Sequence, residues 1–224
     1  MIGPPVVRLQ QVSKSFGSPE DLTPVLRGVD LTIMPGDKAS LVGPSGSGKS
    51  TLLSLIAGLL RPTEGTVEID GVGMSSLDDR HRAQLRAQRI GIALQADNLI
   101  PFLSARENVE LALGFGDRRS RRDVRDRALD LLDRFEVAHR AEHRPRHLSG
   151  GEAQRVALAV SMANEPALLL ADEVVAQLDT STAARVIDEV LTADFAVLFV
   201  SHDVALADLV EHRFELIDSE LVAR

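Results

Sequence analysis

Gly43-Pro44-Ser45-Gly46-Ser47-Gly48-Lys49-Ser50-Thr51 follows the short apolar run Lys38-Ala-Ser-Leu-Val42 and opens a segment in which Leu52, Leu53, Leu55, Ile56 and Leu59 recur at helical spacing. Strand, glycine-rich loop and helix in that order form the context in which G-x-x-x-x-G-K-S works as a phosphate cradle. The glycines let successive backbone N–H groups curl around phosphate oxygens, and the helix N-terminus adds a favourable dipole. Lys49 is placed to reach the β- and γ-phosphates, and Ser50 to hold Mg²⁺. A plain Gly/Ser-rich turn would need neither the lysine nor the serine nor these flanks.

Outward from the loop, the pattern predicts strands at Val6–Val12, Val29–Ile33, Thr66–Ile69, Ile90–Leu94, Ala167–Ala171 and Ala196–Val200. A polar turn with Gly17, Pro19 and Pro24 separates the first two, and Asp70-Gly71 reads as a hairpin turn. Helices are expected over 49–60, 77–89, from near Gly151 to Asn164, and over 181–192. The last twenty residues read as a helix and a short strand pair. Residues 96–147 differ in character: apolar positions fall at helical spacing (Val124, Ala128, Leu131, Leu132, Phe135) among dense Arg and Asp. The expected architecture is α/β. It has a mostly parallel sheet, an N-terminal antiparallel β-subdomain and an inserted helical subdomain, all in one domain over 1–224. The core takes 1–95 and 156–224, and the helical part about 96–155.

Ligands of such sheets sit beyond the carboxyl ends of the strands. Gly43, Gln95, Asp172 and His202 each stand at or just past a predicted strand end. Asp172 closes the run Ala167-Leu-Leu-Leu-Ala-Asp172 and suits a Mg²⁺ site reached through water. Glu173 follows it, where a carboxylate could orient or deprotonate an attacking water. Gln95 can touch Mg²⁺ and water together, and His202 can contact a γ-phosphate. Singly, two acids, a glutamine and a histidine at strand ends are ordinary surface or structural groups. The phosphate loop gives them their weight.

Leu148-Ser149-Gly150-Gly151-Glu152-Ala153-Gln154 is a second run of backbone donors suited to phosphate. One compact fold cannot easily bring both runs to one γ-phosphate, whereas two chains face to face can. The chain therefore reads as half of an ATP-driven clamp.

Bulk properties narrow the classes. The 224 residues suffice for one substantial domain, and 44% apolar content is ordinary for a globular protein. With seven Phe and no Tyr or Trp, the core must be aliphatic. A formal charge of −8 disfavours non-specific nucleic-acid binding. Absence of cysteine rules out disulfides and thiolate metal sites. No apolar run reaches the ~18 residues of a membrane span. The start Met-Ile-Gly-Pro-Pro-Val-Val-Arg lacks a secretion-signal layout, so a cytoplasmic location is expected, with any membrane role supplied by a partner.

The order of phosphate loop, Gln95, Leu148–Glu152, Asp172-Glu173, Asp179 and His202 resembles the ABC-type ATPases across essentially the whole chain. Asp97-Asn-Leu-Ile-Pro-Phe-Leu-Ser-Ala-Arg-Glu-Asn-Val109 and His143-Arg-Pro-Arg-His-Leu-Ser-Gly-Gly151 resemble the LolD/MacB/FtsE branch. That resemblance implies a head-to-tail dimer with ATP between the Lys49 loop of one subunit and Ser149–Gly151 of the other. It places Glu152 and Asp179 at the nucleotide. It also implies a separate membrane permease of MacB/FtsX/LolCE type, no nucleic-acid partner, and residence on the inner face of the cell membrane through that permease. Phe16 matches the aromatic that stacks on adenine, the alternative being a half-buried core position.

Two departures stand out. Val174-Val-Ala-Gln177 replaces the usual Pro-Thr-Gly/Ser-x before Leu178-Asp179, and Val156–Ala163 lacks an arginine common in the family. They bear on rate and symmetry of turnover, and leave pairing with a different ATPase chain, or a weakly hydrolysing regulatory role, as alternatives to a homodimer. A non-transport ABC protein normally carries long insertions or two cassettes, and neither is present. A P-loop kinase or GTPase would not need Leu148–Glu152. Leu99-Ile-Pro-Phe-Leu103 is either the lining of a groove for the permease or core of the helical part. Residues 117–127, with six arginines and three aspartates, read as a solvated helix start or as a contact for acidic groups.

Overall fold

A computed structural model describes residues 3–18, 21–93, 99–115, 121–172, 180–200 and 209–224. The chain forms two compact units, 1–86 with 194–224, and 87–193.

In the first unit, strand β1 (Val7–Ser18) pairs antiparallel with β2 (Asp21–Ile33) and β4 (Glu64–Ile69), and β4 with β5 (Val72–Gly73). The sheet order is β2-β1-β4-β5. Alternate residues Val7, Leu9, Leu31, Ile33, Val67 and Ile69 are buried, the pattern of a sheet with one packed face. β1 and β2 run further than their apolar stretches predict. Phe16 pairs with Thr23 and Gly17 with Leu22 in a segment expected to be turn, and Pro24 sits opposite Ser15. β2 is a terminal strand of this sheet, where a proline's missing N–H interrupts no ladder between two neighbours. Asp70 and Gly71 both have positive φ, as a two-residue hairpin turn requires, and they join β4 to β5 as expected.

The second sheet of this unit is built on β3 (Lys38–Val42). It has parallel neighbours β8 (Ala196–Val200) and β9 (His212–Ile217), with β10 (Glu220–Ala223) antiparallel to β9. All five residues of β8 are buried, as befits a parallel strand covered on both faces. At the strands' starting edge, Lys38 donates to the carbonyl of Phe195 and stands 5.2 Å from its ring centroid. Burial holds the ammonium below its usual pKa, against the opposing pull of Asp194. After the loop, helix α1 covers Lys49–Ile56, shorter than the apolar spacing suggests. Gly58, at φ +66, turns the chain, and the Ser54 carbonyl accepts from both Leu59 and Leu60. Helix α2 (Asp79–Arg89) follows the expected charged stretch.

In the second unit, β6 (Ile90–Ala93) and β7 (Leu168–Asp172) are parallel, Ala93 opposite Ala171. Between them in the chain come α3 (Ala105–Leu113), α4 (Arg121–Arg134) and α5 (Gly150–Ser161), packed on one another, and α6 (Thr180–Leu191) follows. Ala128, Leu131, Leu132 and Phe135 are buried, as their spacing predicts. Asn108, itself buried, organises the turn ahead of α3. Its Oδ1 accepts from the Ile100 N–H at 2.7 Å, and its amide donates to the carbonyls of Ile100, Leu103 and Ser104. One satisfied side chain thus replaces several backbone partnerships the turn cannot make with itself. Among the described residues, no helix is long and apolar enough to cross a membrane.

Candidate functional site: a phosphate loop and a capped glycine turn

In the first unit the loop 43–48 leaves the end of β3 and enters α1. Gly43, Gly46 and Gly48 all have φ between +78 and +154. A Cβ on Gly43 would come 2.6 Å from the Leu216 carbonyl of β9, and one on Gly48 would meet Val25 at 3.0 Å. Gly43 and Gly48 therefore serve both conformation and close approach, and Gly46 conformation alone. Gly48 is the N-cap of α1 in left-handed geometry, with no side-chain cap. The first-turn amides of α1 have no intrahelical acceptor by construction, and no side chain at the cap competes for them. Lys49, mostly buried, aims its ammonium back across the loop at the carbonyls of Gly43 (2.7 Å) and Pro44 (2.9 Å). The Ser47 hydroxyl is buried without a partner. A glycine-rich loop entering a helix whose first-turn amides lack a side-chain cap, with the Lys49 ammonium folded onto it and a buried hydroxyl without a partner, fits a polyphosphate. Ser45 and Ser50 are exposed, and Thr51 is half-buried.

Register places the remaining strand ends. Leu41 of β3 lies beside Val200 of β8, so the segments leaving these two strands start from one edge of the first unit. In the second unit, Ala93 beside Ala171 puts the exit of β6 next to Asp172, which is half-buried. Gln95, Glu173, Asp179 and His202 lie outside the described residues. Phe16, on β1, is 43% exposed rather than core, with the Lys14 ammonium 5.1 Å from its ring centroid. A ring with an open face can accept a purine.

The second phosphate-suited turn starts a helix one residue earlier than expected. Ser149 is the N-cap of α5, and Gly150 is its first residue. Ser149 and Glu152 form a reciprocal capping box: the Ser149 hydroxyl accepts from the Glu152 N–H (3.3 Å), and the Glu152 carboxylate accepts from the Ser149 N–H (2.8 Å). Because that hydroxyl is used as an acceptor, its own hydrogen stays free to donate outward. Gly150 is exposed, and as first-turn residues Gly150 and Gly151 carry amides with no intrahelical acceptor. Arg140 donates through Nε to the other Glu152 oxygen (2.7 Å), and His139 Nε2 lies 3.5 Å from it. The Ser149 amide first, then Arg140, pull the Glu152 carboxyl down to about 2. With the folded pKa depressed, the box contributes its stability in full above the ordinary glutamate range and loses it as pH falls toward 2.

A second capping box in the same unit works differently. Ser104 caps α3 with Glu107, but the first-turn amides of Ala105 and Arg106 donate to the carbonyls of His143 and Ala141 at 2.8 and 2.9 Å. That helix start is sealed by protein, whereas the start of α5 carries two glycines. Phe102, 70% exposed, stands on the turn that Asn108 holds, while Leu99 is buried. The stretch 99–103 is thus part core and part surface. The sequence reading missed both boxes and the contact of Arg140 with Glu152. Ser-x-x-Glu at 104–107 and 149–152 carries the signal for the boxes. The arginine's contact is tertiary and has no local signature.

The description of the ABC transporter family matches residues 26–176. The chain is 41% identical over 220 residues to the lipoprotein-releasing system ATP-binding protein LolD 1 of Rhodopirellula baltica, covering 96% of each. It is 40% identical to the uncharacterized ABC transporter ATP-binding protein MJ0796 of Methanocaldococcus jannaschii, covering 96% of this chain and 95% of that one. The dimeric structure of a post-hydrolysis state of the MJ0796 cassette, bound to ADP and Pi, superposes with a TM-score of 0.92 at 38% identity, covering 97% of both chains. With a loop shaped for polyphosphate, a glycine-opened second helix start and likeness along nearly its full length, the chain belongs to the ABC transporter family as an ATP-binding, ATP-hydrolysing subunit of the branch that includes the LolD proteins.

Proposed function

We propose that two copies of this chain close head to tail over two ATP molecules and, through that motion, drive a separate membrane permease of MacB/FtsX/LolCE type from its cytoplasmic face. The observation that carries this reading is the presence, in one chain, of two unlike helix starts: an uncapped cradle at 43–51 and a capped turn at 149–152 with two glycine amides to spare. In this reading neither alone encloses a triphosphate, and the two, contributed by two copies, do so from opposite sides. The MJ0796 cassette, described as dimeric, lends the arrangement support.

In this reading Lys49 and the amides of 46–51 hold the β- and γ-phosphates, and Phe16 stacks on the base. Ser149, Gly150 and Gly151 of the opposite copy meet the γ-phosphate, where their donors neutralise charge as the bond to phosphorus breaks. Ser50 and Asp172, with Gln95, are the side chains suited to hold Mg²⁺, which would supply charge neutralisation between the phosphates. Glu173 orients the attacking water, and His202 steadies the γ-phosphate. Asp179 faces the nucleotide across the interface. Loss of the γ-phosphate removes the bridge and lets the copies part. Phe102 and its turn present the apolar surface to the permease. The same scheme accounts for a lipoprotein-releasing role like that named for the LolD relatives.

Glu173→Gln in the full chain tests this reading. The variant is expected to bind ATP, to lose turnover, and to shift from monomer to dimer on a sizing column when ATP and Mg²⁺ are added. Full turnover, or an ATP complex that stays monomeric, contradicts it. Running the trap on the chain alone also separates self-pairing from pairing with a different ATPase chain, the question raised by Val174–Gln177.

A further inference from the structure

Glu152 is where the second phosphate-suited turn meets the rest of its unit. Its side chain is only 13% exposed, and a carboxylate so placed needs both hydrogen bonds and a counter-charge. One oxygen is spent on the Ser149 amide, and the other faces Arg140 at 2.7 Å with His139 at 3.5 Å.

Arg140 is itself held in place. It ends a short 3-10 turn, Ala138–Arg140, its N–H donates to the Val137 carbonyl, and its own carbonyl accepts from the His143 N–H. The next residues are bound to the start of α3 by the amides of Ala105 and Arg106. The Arg106 guanidinium ties Glu142 (2.7 Å) to Glu110 of α3. A continuous set of short bonds therefore runs from the turn bearing Phe102, through the start of α3 and residues 140–143, to Glu152 and Ser149.

Resting on the reading of Ser149 as a phosphate contact, we propose that Arg140 is a positioning residue for ATP-driven closure: through Glu152 it fixes the Ser149 hydroxyl and the Gly150 and Gly151 amides in the orientation that meets the opposite copy's nucleotide. Arg140 touches no nucleotide. Without it the carboxylate has no strong partner for its second oxygen and turns toward water, the box opens, and the donors of the turn lose their common direction. Because the arginine is anchored to the start of α3, a load on the Phe102 turn reaches Ser149 by the same route.

The test uses the full chain with Arg140→Ala, Arg140→Lys, Glu152→Ala and the Arg140→Ala/Glu152→Ala pair. Nucleotide binding by the monomer is followed with a fluorescent ATP analogue, and ATP-driven dimerisation in the Glu173→Gln background. Monomer binding should stay unchanged in all four, since it belongs to the Lys49 loop. Dimer affinity should fall about tenfold in Arg140→Ala. It should recover in part in Arg140→Lys, and the double variant should be no worse than Glu152→Ala. Two results overturn the proposal: dimer affinity unchanged in Arg140→Ala, or a loss that lysine does not relieve and that adds to that of Glu152→Ala. Gly150→Asp, run alongside, keeps the two ideas apart. If it too leaves dimerisation intact, the phosphate role of this turn is wrong. If it abolishes dimerisation while Arg140→Ala does not, only the arginine's role is wrong.

Discussion

The helices α1 and α5 both begin at glycines, yet they begin in opposite ways. Helix α1 has a left-handed Gly48 at its cap, no side-chain acceptor, and a lysine folded across the loop mouth. Helix α5 has a serine cap, a reciprocal glutamate and an arginine behind it. The first arrangement leaves its first-turn amides without a side-chain acceptor. The second satisfies its own cap through Ser149 and Glu152 and leaves the first-turn amides of Gly150 and Gly151 without an intrahelical acceptor, which in the proposed reading complete a site begun elsewhere. The start of α3 is the internal control: the same box without glycines, its amides taken by protein carbonyls. A capping box alone is scaffold; in the proposed reading the two glycines after it turn that scaffold toward a ligand.

The contrast is broken most severely at α1. Lys49→Ala should lower ATP turnover by about a thousandfold, as removal of a preorganised charge from a phosphoryl-transfer site does. A steady-state assay with that loss confined to the chemistry, and affinity intact, would move Lys49 out of the binding role. Phe16→Ala should weaken ATP affinity by about tenfold, the loss of one base stack. Calorimetric titration checks this, and an unchanged affinity with a lower melting temperature would return Phe16 to a structural part. Ser104→Ala should have the smallest effect. It costs about 1 kcal/mol of stability, read as a lower urea midpoint, and leaves ATP-driven dimerisation as it was. A dimerisation defect there would mean that α3 and α5 do not differ as their amides suggest.

Much of this was legible in the sequence for physical reasons. The strand–loop–helix around Lys49 follows from local glycine and lysine chemistry, and β8 from an unbroken apolar run. Helix α4 follows from a periodicity that Ala128, Leu131, Leu132 and Phe135 obey. The extension of β1 and β2 through Phe16–Ser18 and Asp21–Pro24 was not legible. Strand pairing there is bought by backbone bonds rather than by apolar side chains, so polarity and Pro24 pointed to a turn. The early end of α1 depends on Gly58, one residue in left-handed geometry inside an otherwise helical pattern. The start of α5 at Gly150 depends on Ser149 and Glu152 reading as a box rather than as donors alone. Arg140 was invisible because its partner lies in another element.

The central claim is that the working pocket is shared, with the cradle of one copy facing the glycine turn of another. The direct test mixes two inactive variants, Lys49→Ala and Gly150→Asp. The aspartate suits a helix's first turn and repels a triphosphate. Each alone should be folded and without turnover. A one-to-one mixture should regain about a quarter of the wild-type rate, because half the dimers then hold one intact composite site. A mixture as inactive as its parts, or full activity from Gly150→Asp by itself, contradicts the account.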